Sequence, residues 1–341
     1  MSASRTLVLR LQDVTVAFRR QGTWRGVRTQ VVHGVSLQVH EGETLGIVGE
    51  SGSGKSTIAR VAVRGLAATA SVGGSAEIDG EDVYRLRGRR LRRLRRRSQM
   101  VFQDPNGSLN PRMTAGTILD DVLRVATKRD RRSRAERTDE LLRLVGLDPR
   151  SRDKYPHEFS GGQRQRIAIA RALAAEPRLL VCDEPVAALD VSIQGQVLNL
   201  LIDVQERLGL TIVFISHDIG VVRHMSDRIA VMYLGRVVEQ GDADEVYFAP
   251  RHPYTAALLA SVSNASTDHD TAVRTLVIGD APQGEPDGGC AFRSRCWLYA
   301  QLDSPDVCRT DRPELVPVDS GESACHFAEV VDAQRMQAGA R

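Results

Sequence analysis

The sequence predicts an α/β fold built on a parallel sheet that carries a phosphate-binding loop. Three observations carry that expectation. Gly49-Glu50-Ser51-Gly52-Ser53-Gly54-Lys55-Ser56-Thr57 fits G-x-x-x-x-G-K-S/T, with an apolar strand before it and a helical pattern after it. Leu179–Cys182 is an apolar run that ends in Asp183 and Glu184. Leu179–Cys182, Ile193–Leu208 and Thr211–Ile215 read as strand, helix and strand, the spacing of a parallel α/β unit.

The elements follow in order. Leu7–Val16 is strand-like, and Val31–His40 alternates well enough for a second strand. Arg19–Gln30 between them is polar and Gly/Arg-rich, so it predicts a loop. Glu43–Val48 is a short strand running into the Gly-rich turn, with a helix over Ile58–Leu66 and a short strand over Ser75–Asp79. Arg85–Arg97 holds nine arginines in thirteen residues. A solvated helix face is the favoured reading of this run, and a phosphate- or lipid-facing patch the sharper one. Ser98–Phe102 is a strand; Ile118–Arg124, Glu136–Leu147 and Gln163–Ala175 are helices, the last stopped at Pro177. Ile229–Leu234 and Val237–Gln240 form a hairpin at Gly235. Residues 264–289 are polar and Pro/Gly-rich, a linker, and the remainder carries four of the five cysteines.

Composition narrows the class. The 341 residues allow roughly two domains. A net charge of +3 with 42% hydrophobic residues excludes a wholly disordered chain and gives no case for a dedicated nucleic-acid binder. Five cysteines do not make a disulfide scaffold, and no apolar run approaches a membrane span. The first residues lack the apolar core of a secretion signal. The expectation is a soluble, cytoplasmic chain able to dock on a membrane protein.

The loop's glycines let the backbone wrap so that its N–H groups face phosphate oxygens, at the start of a helix that favours anions. Lys55 can reach the β- and γ-phosphates, and Ser56 offers a hydroxyl to Mg²⁺. Asp183, at the end of a parallel strand, can support the Mg²⁺ shell, and Glu184 can polarise an attacking water as general base. Cys182 reads as a small hydrophobe. Phe159-Ser160-Gly161-Gly162-Gln163-Arg164-Gln165-Arg166 places small residues at the start of a helix, a second phosphate-suited element.

The ordered set of the loop at Gly49, Gln103, Ser160-Gly161-Gly162-Gln163, Asp183-Glu184, Asp190 and His217 resembles the ABC ATPases. The resemblance implies a P-loop NTPase core, an antiparallel β subdomain, a helical subdomain over about 106–174 and a small Cys-bearing C-terminal domain. It implies a head-to-tail dimer of ATPase subunits, each nucleotide lying between one subunit's loop and the other's Ser160–Gln163 signature. By the same resemblance Gln103 reaches the metal and attacking water and reports to the membrane partner. Asp190 lies in a loop crossing the dimer interface, His217 contacts the γ-phosphate, and Phe18 stacks on adenine, although an ordinary core role suits Phe18 nearly as well. Phe159 and Ala187 depart from the family's common Leu and Ser, at positions that touch no phosphate.

His252-Pro253-Tyr254-Thr255, with Cys290-Ala291-Phe292-Arg293-Ser294-Arg295-Cys296, Cys308 and Cys325-His326-Phe327, looks like the ATPase subunits of bacterial dipeptide, oligopeptide and nickel importers. Residues 1–248 would be the ATPase domain and 249–341 the importer-type C-terminal region. The branch implies ATP and Mg²⁺ as cofactors and a second ATPase subunit, a paralogue or a copy. It also implies two permease subunits, an extracytoplasmic binding protein that selects cargo, and a peripheral place on the cytoplasmic face of the membrane. The cysteine spacing C-x5-C-x11-C-x16-C lacks the close pairs usual for zinc, and disulfides do not suit the cytosol. A [4Fe-4S] cluster on Cys290, Cys296, Cys308 and Cys325 and four free thiols remain the two readings. A soluble ABC ATPase acting on ribosomes or DNA is the rival class, and a regulatory or structural subunit a third.

Overall fold

The computed structural model describes residues 6–19, 28–263 and 288–331. The predicted linker over 264–289 therefore lies almost wholly outside the described residues, as does most of the predicted loop over 19–30. The strands are β1 (Leu7–Arg19), β2 (Arg28–His40), β3 (Thr44–Val48), β4 (Ala70–Ile78), β5 (Glu81–Asp82), β6 (Ser98–Val101), β7 (Leu179–Asp183), β8 (Thr211–Ser216), β9 (Arg228–Tyr233), β10 (Arg236–Asp242), β11 (Val316–Val318) and β12 (Gly321–Ser323). The helices that matter below are α1 (Lys55–Ala62), α2 (Gly88–Arg97), α3 (Pro105–Ser108), α4 (Ala115–Ala126), α5 (Arg131–Leu144), α6 (Gly161–Leu173), α7 (Val191–Leu208), α8 (Ile219–Met225), α9 (Ala243–Phe248) and α10 (Pro253–Ser263).

The strands sort into an antiparallel sheet, β2-β1-β4-β5, and a larger mixed sheet, β11-β12-β10-β9-β3-β8-β7-β6. Strands β6, β7, β8, β3 and β9 run parallel; β10, β12 and β11 continue antiparallel. Every residue of β3, β7 and β8 is buried, which is why each reads as an unbroken apolar run rather than an alternation. The two faces still separate by parity. Leu180, Cys182, Ile212 and Phe214 face one core with the helices; Leu179, Val181, Val213 and Ile215 face the other, with α1 and the antiparallel sheet. Each such Val, Leu or Ile contributes about 1.5–3 kcal/mol by burial.

Strands β1 and β2 extend beyond the predicted Leu7–Val16 and Val31–His40. Pairing continues through Ala17–Gln30, Phe18–Thr29 and Arg19–Arg28, where the exposed polar side chains of Arg28, Thr29 and Gln30 hide the pattern in β2 but the backbone ladder persists. Helix α2 buries Leu94 and exposes most of its arginines, an arrangement that both readings of the run share. Asp79 anchors its end, pairing with Arg97 at 3.0 Å and Arg178 at 2.8 Å. The hairpin at Gly235 is present. Strands β11 and β12 join the large sheet through β10, and Phe292, Trp297 and Leu298 share a core with β8 and α8, so the Cys-bearing stretch packs directly on the parallel sheet. No described helix is long and apolar enough to cross a membrane.

Candidate functional site

Strand β3 delivers Gly49–Thr57 to the C-terminal edge of the parallel sheet, and α1 begins at Lys55. Gly49, Gly52 and Gly54 all take positive φ. A Cβ on Gly49 would meet the Met232 carbonyl at 2.1 Å, so only glycine fits there. The turn after β9 holds the loop from outside: Gly235 N–H donates to the Ser53 carbonyl at 2.9 Å. Lys55 is buried and curls over the loop, donating to the Gly49 and Glu50 carbonyls at 2.7 and 2.8 Å. Burial pushes its ammonium below the usual lysine value, opposed by the carboxylates of Glu184, Asp183 and Glu50.

Ser56 Oγ donates to Asp183 at 2.7 Å, joining the loop to the end of β7. Burial raises the Asp183 carboxyl above the usual range, with the Ser56 hydrogen bond opposing it. The oxygens of Ser56 and Asp183 form a hard-ligand pair suited to Mg²⁺. Glu184 sits at φ 47°, a left-handed conformation costing a non-glycine residue about 1–2 kcal/mol. Its N–H donates to the Ile215 carbonyl at 3.0 Å, which ties the strained residue to β8. Its carboxylate accepts from Gln103 Nε2 at 3.0 Å and lies 3.7 Å from His217 Nδ1. His217 is 60% exposed and Glu184 only 17%, so the imidazole faces outward over a sheltered carboxylate. The structure thus gathers Lys55, Ser56, Gln103, Asp183, Glu184 and His217 at one edge.

The signature lies elsewhere. Ser160 caps α6: its Oγ accepts from Gln163 N–H at 3.3 Å, while Gln163 Oε1 accepts from Ser160 N–H at 3.0 Å. This reciprocal cap stabilises the helix start by about 1 kcal/mol. Gly162 is required by packing rather than by φ, since a Cβ would meet Ile193 of α7 at 2.4 Å. Ser160 and Gln163 are exposed, Gly161 packs beside Leu189, and Asp190 is exposed at the start of α7. Phe18 sits at the end of β1, partly buried against the core beneath the antiparallel sheet. Neither the signature nor Phe18 enters the hydrogen-bond network around Lys55.

Sequence reasoning missed the groups that grip Glu50. Its N–H donates to Tyr254 Oη at 2.8 Å, and its carboxylate pairs with the Arg295 guanidinium at 2.9 Å. The two partners stand inside the His252–Thr255 and Cys290–Cys296 segments, but no spacing signal connects those segments to the loop.

The cysteine stretch is drawn together. Cys290, Cys296, Cys308 and Cys325 line one small cavity with Phe292 and Phe327, and all five cysteines of the chain are unpaired. Among the described residues, no group of three or more His, Cys, Asp or Glu side chains is placed to hold a single metal ion.

His252 and Glu239 make a buried pair of another kind. Glu239 accepts from the Arg251 and His252 N–H groups at 2.6 and 3.0 Å, and His252 Nδ1 accepts from Tyr254 N–H at 3.1 Å. Burial pushes the Glu239 carboxyl up to about 7 and the His252 imidazole down to about 3. Between the ordinary values of 4.5 and 6.5, unfolding moves one proton from Glu239 to His252, so their pH slopes cancel. His252→Phe leaves the raised carboxyl alone, and stability should then fall as pH rises from 4.5 to about 7. Glu239→Gln leaves the lowered imidazole alone, and stability should fall as pH drops from 6.5 toward about 3. Thermal midpoints of both variants across this range check the sign; slopes of the same sign would refute it.

Comparison with known proteins decides the family. Residues 32–187 match the model of the ABC transporter family, and residues 238–301 match the oligopeptide/dipeptide transporter C-terminal region. A Brucella ovis protein named for ATP binding in peptide import is 47% identical over 303 residues, 88% of this chain and 93% of the relative. The chain belongs to the ABC transporter ATP-binding proteins. A Sinorhizobium fredii protein named for the same role in a peptide ABC transporter is 45% identical over 94% of this ABC protein and 89% of its own length. Among solved structures, the ATP-binding cassette MJ0796, a dimer bound to ADP and Pi, is 32% identical with a TM-score of 0.59, covering 69% of this chain and 98% of that one. CbiO1 from Clostridium perfringens, part of the ABC transporter complex cbiONQ, is 30% identical with a TM-score of 0.60, covering 71% and 91%. The predicted α/β fold of the ABC ATPase type stands, and with it the use of ATP and Mg²⁺.

Proposed function

We propose that this chain is the ATP-hydrolysing subunit that powers peptide import through a membrane ABC permease. The convergence of Lys55, the Ser56–Asp183 pair and the Gln103–Glu184–His217 cluster at one sheet edge carries the reading. The similarity of the C-terminal region to oligopeptide and dipeptide transporters supports the cargo class. Residues 1–248 form the ATPase domain in this reading, with 106–174 as its helical part, and 249–341 the importer-type region.

Gly49–Thr57 would cradle the phosphates, Lys55 turning its ammonium from the loop carbonyls toward the β- and γ-phosphates. Ser56 and Asp183 would hold Mg²⁺, with Gln103 at its edge. The metal supplies neutralisation of charge developing on the phosphate oxygens. Glu184 orients the attacking water and accepts its proton, while His217 steadies the γ-phosphate. The outward Ser160–Gln163 turn and Asp190 would complete the nucleotide site of a partner subunit, a copy or a paralogue, and Phe18 would border the adenine. ATP closes the dimer, permease helices near Gln103 follow, and hydrolysis reopens it. An extracytoplasmic binding protein would deliver the cargo, with this subunit on the cytoplasmic face.

Uptake of labelled dipeptide, longer peptide and Ni²⁺ by cells carrying wild type or Lys55→Ala tests the reading. Peptide uptake should collapse in the variant. Loss of Ni²⁺ uptake alone would replace the cargo, and no change in any would reject the role.

In this reading the four cysteines lining one cavity also hold an iron–sulfur cluster. A [4Fe-4S] cluster would take one thiolate per iron and so would spread its ligands wider than one ion does. Anaerobically purified protein should contain iron and sulfide and lose both in Cys296→Ser; folded, iron-free wild type would refute the cluster.

A further inference from the structure

Glu50 is the second residue of the phosphate loop, yet its side chain is held from the other end of the chain. Arg295 Nη1 and Nη2 each donate to one carboxylate oxygen, both at 2.9 Å. Arg295 is 7% exposed and lies against the Tyr233 and Phe292 rings, 5.8 and 5.9 Å from their centroids. Tyr254 Oη takes the Glu50 N–H, and its ring packs on Tyr233 and Phe292 at 4.7 and 5.4 Å. Trp297 Nε1–H donates to the Pro253 carbonyl at 3.2 Å, which ties the two C-terminal segments together.

We propose that Arg295 is a positioning residue of the nucleotide site, fixing the phosphate loop through Glu50 with Tyr254 as its second point of hold. The inference rests on the reading that this loop binds ATP. The loop needs its N–H groups aimed at phosphate, but three positive-φ glycines give the unrestrained loop many conformations. A bidentate guanidinium–carboxylate pair fixes both direction and distance. The same Glu50 offers its carbonyl to Lys55 Nζ, so Arg295 sets the residue on which the phosphate-binding ammonium rests. Ordering the loop in advance lowers the cost of ordering it around ATP. The C-terminal region is thereby a working part of the ATPase and not only an appendage to it.

The test uses the full transporter in membranes, comparing wild type, Arg295→Met, Glu50→Gln and their double variant, with Arg295→Lys and Tyr254→Phe. KM for ATP, kcat and thermal midpoint are measured for each. Arg295→Met and Glu50→Gln should each raise KM for ATP about tenfold, a loss of loop order of the size misplacement produces. The double variant should be no worse than the worse single, because both break one pair. Arg295→Lys should recover part of the loss, since one ammonium reaches the carboxylate without the fork geometry. Where Arg295→Met does not assemble, Arg295→Lys and Tyr254→Phe decide: a raised KM with an unchanged thermal midpoint supports positioning. Wild-type KM in the folded variants, or single effects that multiply in the double, overturns it while leaving the ATPase reading intact. A wild-type transporter without ATPase activity would remove that reading and this inference together.

Discussion

Glu184→Gln is expected to leave ATP binding intact and to cut steady-state hydrolysis by about 10²–10⁴-fold, the range for loss of a positioned general base. The glutamine is nearly isosteric, so the left-handed turn at φ 47° and the bond to the Ile215 carbonyl survive. Gln103 still finds an acceptor in the new side-chain oxygen. What disappears is the group that takes the water's proton, together with one negative charge beside the phosphates. ATP should therefore bind as tightly or more tightly, and the ATP-bound dimer should accumulate on size-exclusion chromatography. A variant that hydrolyses at the wild-type rate would show that Glu184 is not the base.

Lys55→Ala acts one step earlier. The buried ammonium bridges the Gly49 and Glu50 carbonyls, at 2.7 and 2.8 Å. Its removal takes away a charged hydrogen-bond donor for the phosphates, about 1.5–3 kcal/mol for each such bond. It also leaves two loop carbonyls without that donor. Hydrolysis and transport should fall at least about 100-fold, with ATP binding weakened as well. The two variants separate cleanly in a nucleotide-binding assay, Glu184→Gln retaining ATP and Lys55→Ala losing it. Equal retention by both would place the phosphate contacts away from Lys55.

Much of the site was legible in the sequence because its parts are local. The loop's glycines, Lys55 and Ser56 lie within nine residues, and the strand before them announces itself by its apolar run. Ser160 and Gln163 form a reciprocal cap within one helical turn, so the start of α6 could be read to within two residues. Asp183 and Glu184 were visible as acids closing a strand. Their relation to Gln103 and His217 came from family resemblance, since 81 residues separate Gln103 from Glu184 and no periodicity spans that distance. The start of β2 was missed for the opposite reason: Arg28, Thr29 and Gln30 are polar and exposed and carry no burial signal, while the ladder that pairs them with Arg19, Phe18 and Ala17 is backbone.

The sequence by itself determined the phosphate loop, the acidic strand end, the capped signature helix and the parallel character of the central sheet. Each is a short-range pattern in which backbone preference and side-chain chemistry agree. Only the tertiary structure decided the strand order, because β3, β7 and β8 are buried throughout and their side chains would suit several neighbours. It also decided that Gly162 serves the approach of Ile193, and that β11 and β12 complete the same sheet. Above all it joined Arg295 to Glu50 across 245 positions. A pairing of that range is fixed by packing of the whole core around it, and no short-range pattern in the sequence reveals it.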